Sequence, residues 1–206
     1  MLVVACAFVH GAIFPGLARA QDPPGRVIVA LGDSLTAGYQ VAKHEAWPAL
    51  LEERLRAEGF PYRVVNAGVS GDTTAGGLRR VDWLLRAHPE IVIVALGAID
   101  GLRGQSTRNM EDNLQRIVER FVAAGARVLL AGMRMPPNYG EPYTREFAAV
   151  FPAVAKRTGV RLMPFLLDGV AANTALNQTD GIHPTAEGHR VIADRVWSYL
   201  APLLRK

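Results

Sequence analysis

One cysteine, Cys6, is present in 206 residues. A fold without a second thiol has no disulfide framework and must be held by its core. Nowhere does a window carry five or six like charges, although 23 Lys and Arg stand against 19 Asp and Glu, for a net charge of +4 and a pI near 9.6. A scattered surplus of that kind reads as a solvated face, not the patch that nucleic-acid binding needs. The Walker Gly-Lys-Ser/Thr and Gly-x-Gly-x-x-Gly phosphate loops are both missing. No apolar run reaches the roughly 18–20 residues of a bilayer-spanning helix. No low-complexity segment, internal repeat or composition shift divides the chain. Half the residues are hydrophobic, 20% are charged and the 13 prolines are dispersed, which excludes disordered and collagen-like classes. What remains is one domain, long enough to bury roughly 70% of its unfolded surface.

Met1 to Ala18 contains no charged residue, and Leu2 to Val9 is continuously apolar. His10, Gly11 and Pro15 break that run. Ala18-Arg19-Ala20 fits the small-x-small pattern of signal-peptide cleavage, and Gln21-Asp22-Pro23-Pro24-Gly25 is a polar, helix-breaking start for a mature chain. A signal peptide over residues 1–20, cut after Ala20, is therefore expected, although no Lys or Arg precedes the apolar run. Cleavage would leave residues 21–206 as a single domain and remove Cys6, and with it any thiol nucleophile. The expected compartment is the periplasm or the cell exterior, with no stable membrane anchor.

From Arg26 onward, apolar β-branched runs alternate with helical spacing. Arg26–Leu31, Tyr62–Ala67, Ile91–Leu96, Arg127–Ala131 and Val160–Met163 read as strands. Trp47–Ala57, Leu78–Ala87, Asn109–Ala124, Tyr143–Arg157 and Thr185–Leu204 read as helices. In the third of these, Met110, Leu114, Ile117, Val118 and Phe121 share one face. The alternation predicts a three-layer α/β/α sandwich with a five-stranded parallel sheet. Such folds place their sites beyond the carboxyl ends of the strands.

The loops after the strands carry the chemistry. The first is Gly32-Asp33-Ser34-Leu35-Thr36-Ala37-Gly38. A serine just past a buried strand, between glycines, is either a presented nucleophile or a plain turn residue. It is not the Gly-x-Ser-x-Gly elbow, because the glycine before Ser34 is separated from it by Asp33 alone but the one after is four residues away. Four histidines lie beyond the leader: His44, His88, His183 and His189. His88 precedes a strand, at the wrong edge of the sheet, and His189 lies within the last helix. His183 stands in Asp180-Gly181-Ile182-His183-Pro184. A carboxylate at that spacing can hold one imidazole nitrogen and stabilise the imidazolium formed when the base takes a serine proton. The same spacing also suits a helix cap beside a surface histidine. After the second strand, Asn66-Ala67-Gly68-Val69-Ser70-Gly71-Asp72 is glycine-rich. There Gly68 either turns a backbone N–H toward the serine, as an oxyanion donor, or makes an ordinary strand-to-helix turn.

Gly32-Asp33-Ser34-Leu35, Gly68 and Asp180-x-x-His183-Pro184, in that order, resemble the GDSL or SGNH hydrolases over essentially the whole chain after the leader. Leu96–Gly104 and Met133–Gly140 resemble the exported bacterial branch that acts as thioesterase, arylesterase and lysophospholipase. The resemblance implies a flavodoxin-like sheet. It makes Ser34 the nucleophile, His183 the general base and then general acid, and Asp180 its orienter. Ser34 and Gly68 would give main-chain N–H donors to the oxyanion. No metal and no cofactor are implied, and the expected partner is a small-molecule or lipid ester bound by a monomer, with no nucleic acid.

One departure stands out. The family pattern after the third strand is Gly-x-Asn-Asp, with the Asn side chain as an oxyanion donor, whereas this chain reads Gly97-Ala98-Ile99-Asp100. Isoleucine cannot donate, and loss of one such donor costs about 10²–10³ in kcat. Neither Asn66 nor Asn109 stands at a matching position. A serine hydrolase with reduced or altered activity is expected. The rivals are a carbohydrate acetylesterase of the same superfamily and a hydrolase-like protein that binds acyl groups or glycans without turnover.

Overall fold

A computed structural model describes residues 26–206. The expected leader over residues 1–20 and Cys6 lie outside the described residues. Five strands form one sheet: β1 (Arg26–Gly32), β2 (Tyr62–Gly68), β3 (Ile91–Ala95), β4 (Arg127–Ala131) and β5 (Arg161–Met163). All neighbours are parallel, in the order β2-β1-β3-β4-β5. This is the flavodoxin-like order, whose topological switch point falls between β1 and β3. The three-layer sandwich and its parallel sheet are as the sequence pattern predicts.

Burial explains the legibility of the strands. β3 is buried at every residue and β1 at all but Arg26, since helices cover both faces of a central parallel strand. Edge strand β2 leaves Arg63 and Asn66 exposed. The helices are α1 (Ser34–Ala37), α2 (Trp47–Ala57), α3 (Thr74–Leu85), α4 (Ala98–Leu102), α5 (Thr107–Ala123), α6 (Glu141–Thr158) and α7 (Ala186–Leu200). Helices α2 and α7 pack together over one face, while α3, α5 and α6 form a continuous layer on the other. The apolar face of α5 is buried at Met110, Leu114, Ile117, Val118 and Phe121, as their spacing predicts.

Helix α3 begins four residues before its expected start. Thr73 caps it by accepting the N–H of Gly76, and the Gly76-Gly77 pair continues the first turn despite its low propensity. Tertiary packing overrides propensity here: a β-carbon at Gly77 would stand 2.2 Å from Leu96 Cδ1. Helix α7 ends at Leu200, and the chain closes in a 3₁₀ turn, Ala201–Leu203, where Pro202 cannot extend an α-helical ladder. The two short helices, α1 and α4, have no counterpart in the sequence pattern. At four and five residues they carry no periodicity to read.

Candidate active site

β1 stops at Gly32, and Asp33 caps the single turn of α1 by accepting the N–H of Leu35 at 3.0 Å. Gly32 must be glycine, because a β-carbon there would lie 2.0 Å from Thr36 Oγ1. Ser34 is thereby set at the first position of α1, above the switch point and 6% exposed. Its Oγ lies 2.9 Å from His183 Nε2, across 149 residues of sequence.

Asp180 and His183 sit in the long connection between β5 and α7. The Oδ1 of Asp180 accepts the main-chain N–H groups of Ile182 and His183, each at 3.0 Å, and its Oδ2 lies 2.7 Å from His183 Nδ1. These bonds, led by the His183 and Ile182 N–H groups, pull the Asp180 carboxyl down to about 2. It is ionised and can only accept, so His183 Nδ1 carries the proton and Nε2 presents a lone pair to the Ser34 hydroxyl. Burial acts in the opposite sense on Asp33, raising its carboxyl to about 7, and leaves Oδ2 without a hydrogen-bond partner.

Ser34 and His183 open into a cavity of about 480 Å³. Ile99, Leu102, Met133, Met135, Pro136 and Phe165 make most of its wall apolar. Ile99 stands in the first turn of α4, directly after Gly97, whose φ of +116° only glycine tolerates well. The sequence thus brings Ser34, His183, Asp180 and Ile99 to one place.

Gly68 does not join them. It ends β2 in register with Gly32, and its N–H is taken by Asn66 Oδ1 at 3.0 Å. Its α-carbon packs so tightly on α1 that a β-carbon would meet Ala37 N at 2.2 Å. Gly68 lines a separate cavity of mixed polarity, of about 650 Å³, with Lys43, His44, Glu52 and Val64. The expected oxyanion role of Gly68 is therefore corrected: this glycine permits close packing, and its donor is already used.

The bracing of the site was invisible in the sequence. Arg80 of α3 donates to Ala67 O at 2.9 Å and to Asp72 Oδ2 at 2.6 Å, tying the end of β2 to the loop beyond it. Asp100, 2% exposed, accepts the N–H and the hydroxyl of Thr74 at 2.8 and 2.6 Å, which locks α4 to the start of α3. No local spacing signals these pairs, because each is made between different elements.

A doubly wound sheet that presents a serine, a histidine and a carboxylate in hydrogen-bonded succession at its switch point is the architecture of a hydrolase. Residues 30–191 match the model of the GDSL-like Lipase/Acylhydrolase family, and the chain belongs to that family. It is an ester hydrolase. The chain is 42% identical over 185 residues to Esterase TesA of Pseudomonas aeruginosa, covering 89% of this chain and 92% of that protein. It is 42% identical over 178 residues to Thioesterase 1/protease 1/lysophospholipase L1 of Escherichia coli K12, covering 86% and 84% of the two chains. A crystal structure of TesA superposes with a TM-score of 0.85 at 42% identity, over 87% of this chain and all of that one.

Proposed function

We propose that the protein hydrolyses carboxylic esters and thioesters of apolar acyl groups through an acyl-enzyme on Ser34. The observation that carries this reading is the chain Ser34 Oγ–His183 Nε2–His183 Nδ1–Asp180 Oδ2, with links of 2.9 and 2.7 Å. His183 takes the proton as Ser34 Oγ bonds to the acyl carbon. It returns that proton to the leaving alcohol or thiol as the tetrahedral intermediate collapses. Water then attacks the acyl-enzyme by the same route, releasing the carboxylic acid and regenerating the serine. Asp180 holds the tautomer and offsets the imidazolium charge. One chain supplies all three groups, so a monomer suffices.

The intermediate's oxyanion falls to main-chain donors. The N–H of Ser34, at the first position of α1, has no intrahelical partner. Gly71 replaces Gly68 as the second donor in this reading. At φ +79°, its N–H makes no hydrogen bond among the described residues, and a β-carbon there would point toward Arg103, beside α4. Ile99 adds apolar wall where the family supplies an amide, which gives a slower enzyme.

The apolar cavity favours an acyl chain over a glycan, and so favours this reading over a carbohydrate acetylesterase, while the hydrogen-bonded Ser34, His183 and Asp180 favour it over a non-catalytic binder. For an exported enzyme, aryl esters and lipid esters are the substrates proposed, with residues 21–206 as the working domain after cleavage at Ala18-Arg19-Ala20. Among the described residues, no helix is long and apolar enough to cross a membrane. An activated fluorophosphonate should label the protein stoichiometrically and leave Ser34→Ala unlabelled. Equal labelling of the two proteins would remove Ser34 as nucleophile.

A further inference from the structure

The two halves of the catalytic constellation arrive from opposite ends of the chain. Ser34 belongs to the turn after β1, whereas Asp180 and His183 belong to the connection before α7. Asp180 braces His183 only within its own loop. Apart from the Ser34–His183 bond itself, something must fix that loop against α1.

Gln178 makes this join. Its Nε2 donates to Tyr39 O at 2.8 Å, just past the end of α1, and to Pro184 O at 2.9 Å, the residue after His183. Both neighbours are carbonyl oxygens, so only the amide nitrogen, with its two protons, satisfies them together. The main chain of Gln178 closes the same loop: its N–H donates to His183 O at 2.7 Å, and its carbonyl accepts the N–H of Gly181 at 2.9 Å. Tyr39, held by that amide, lays its ring against the His183 imidazole with centroids 4.5 Å apart. Gln178 is absent from the wall of the cavity beside Ser34.

We propose that Gln178 is a positioning residue that sets the approach of His183 Nε2 to Ser34 Oγ by bonding the nucleophile's turn to the histidine's loop. The inference rests on the proposed roles of Ser34, His183 and Asp180. A displaced base costs rate, since an error of about 1 Å in such a contact can cost on the order of 10²-fold. Binding should be spared, because the amide touches no cavity surface.

The test compares the wild type with Gln178→Ala, Gln178→Glu and Ser34→Ala on p-nitrophenyl hexanoate. In Gln178→Ala, kcat should fall about 10–100-fold with KM within about twofold. Inactivation by a fluorophosphonate should slow by the same factor. Gln178→Glu sets a carboxylate against two carbonyl oxygens and should be slower than Gln178→Ala at pH 8. Its activity relative to Gln178→Ala should rise as pH falls and the glutamic acid regains a donor, a signature that a purely structural role would not produce. The inference is overturned by a folded Gln178→Ala with kcat within about twofold of wild type, or by a Glu-to-Ala ratio that does not change with pH. Should Gln178→Ala not fold, the near-isosteric Gln178→Met takes its place under the same criteria. Wild-type activity in Ser34→Ala would instead overturn the underlying assignment of the nucleophile.

Discussion

In the proposed mechanism, Ile99 is the residue on which the rate turns. It lines the cavity with Ser34 and His183 from the first turn of α4, so its side chain is in the right place with the wrong chemistry. In that mechanism an amide there would add a donor to an oxyanion otherwise assigned to two main-chain N–H groups. Ile99→Asn is expected to raise kcat on a short aryl ester at least about tenfold, with little change in KM, because the new bond forms only in the transition state. An unchanged or lower kcat in steady-state assays would show that this position does not limit catalysis. Ser34, Asp180, His183 and Ile99 were legible because each lies in a short motif read along the chain. Gly68 was not, since its loop holds another glycine, Gly71, and composition cannot say which one packs and which one donates. The contact of Gly68 with Ala37 and the bond from its N–H to Asn66 decide that Gly68 packs, and the donor role of Gly71 is the proposal that follows.

Between elements, α2 and α7 meet in a way that makes the fold sensitive to acid. The cap position of α2 is Ala46, whose side chain offers no acceptor. His189, 1% exposed on α7, supplies one instead, its Nδ1 accepting the N–H of Trp47 at 3.3 Å. Desolvation by burial is the main reason its pKa drops from 6.5 to about 4. The folded state therefore holds the ring neutral, and stability is undiminished above the unfolded pKa. It declines as pH falls through the window from 6.5 to about 4, because the unfolded chain takes up the proton first. The whole loss amounts to about 3 kcal/mol. His189→Gln keeps an acceptor and does not titrate. Urea unfolding across that window should show the wild type losing stability relative to the variant. Parallel curves would rule out His189 as the titrating group. Nothing in the sequence marked this role, since the pattern placed His189 only within the last helix.

For the molecule as a whole, the sheet order sets what can bind. The switch point between β1 and β3 opens a gap that α1 and α4 flank, and the cavity fills it with mostly apolar surface. A cavity of about 480 Å³ is more room than an acetyl group needs. Across p-nitrophenyl esters from acetate to long chains, kcat/KM should rise beyond acetate by about tenfold or more, at about 0.8 kcal/mol for each methylene buried. A preference for acetate would favour the carbohydrate acetylesterase reading, and binding without turnover would favour a non-catalytic one.

The sequence by itself determined the strands, the longer helices and the parallel sheet, and it singled out Ser34, His183 and Asp180 as the proposed catalytic side chains. Those features are written in local periodicity and short motifs, which need no partner to be read. The tertiary structure decided the order of the strands and the packing role of Gly68. It also decided the anchoring of α4 by Asp100 and Thr74, and the join that Gln178 makes across 139 residues of sequence. Each of these depends on which groups the chain brings together in space, and hydrogen bonds and close packing between distant segments leave no pattern along the chain.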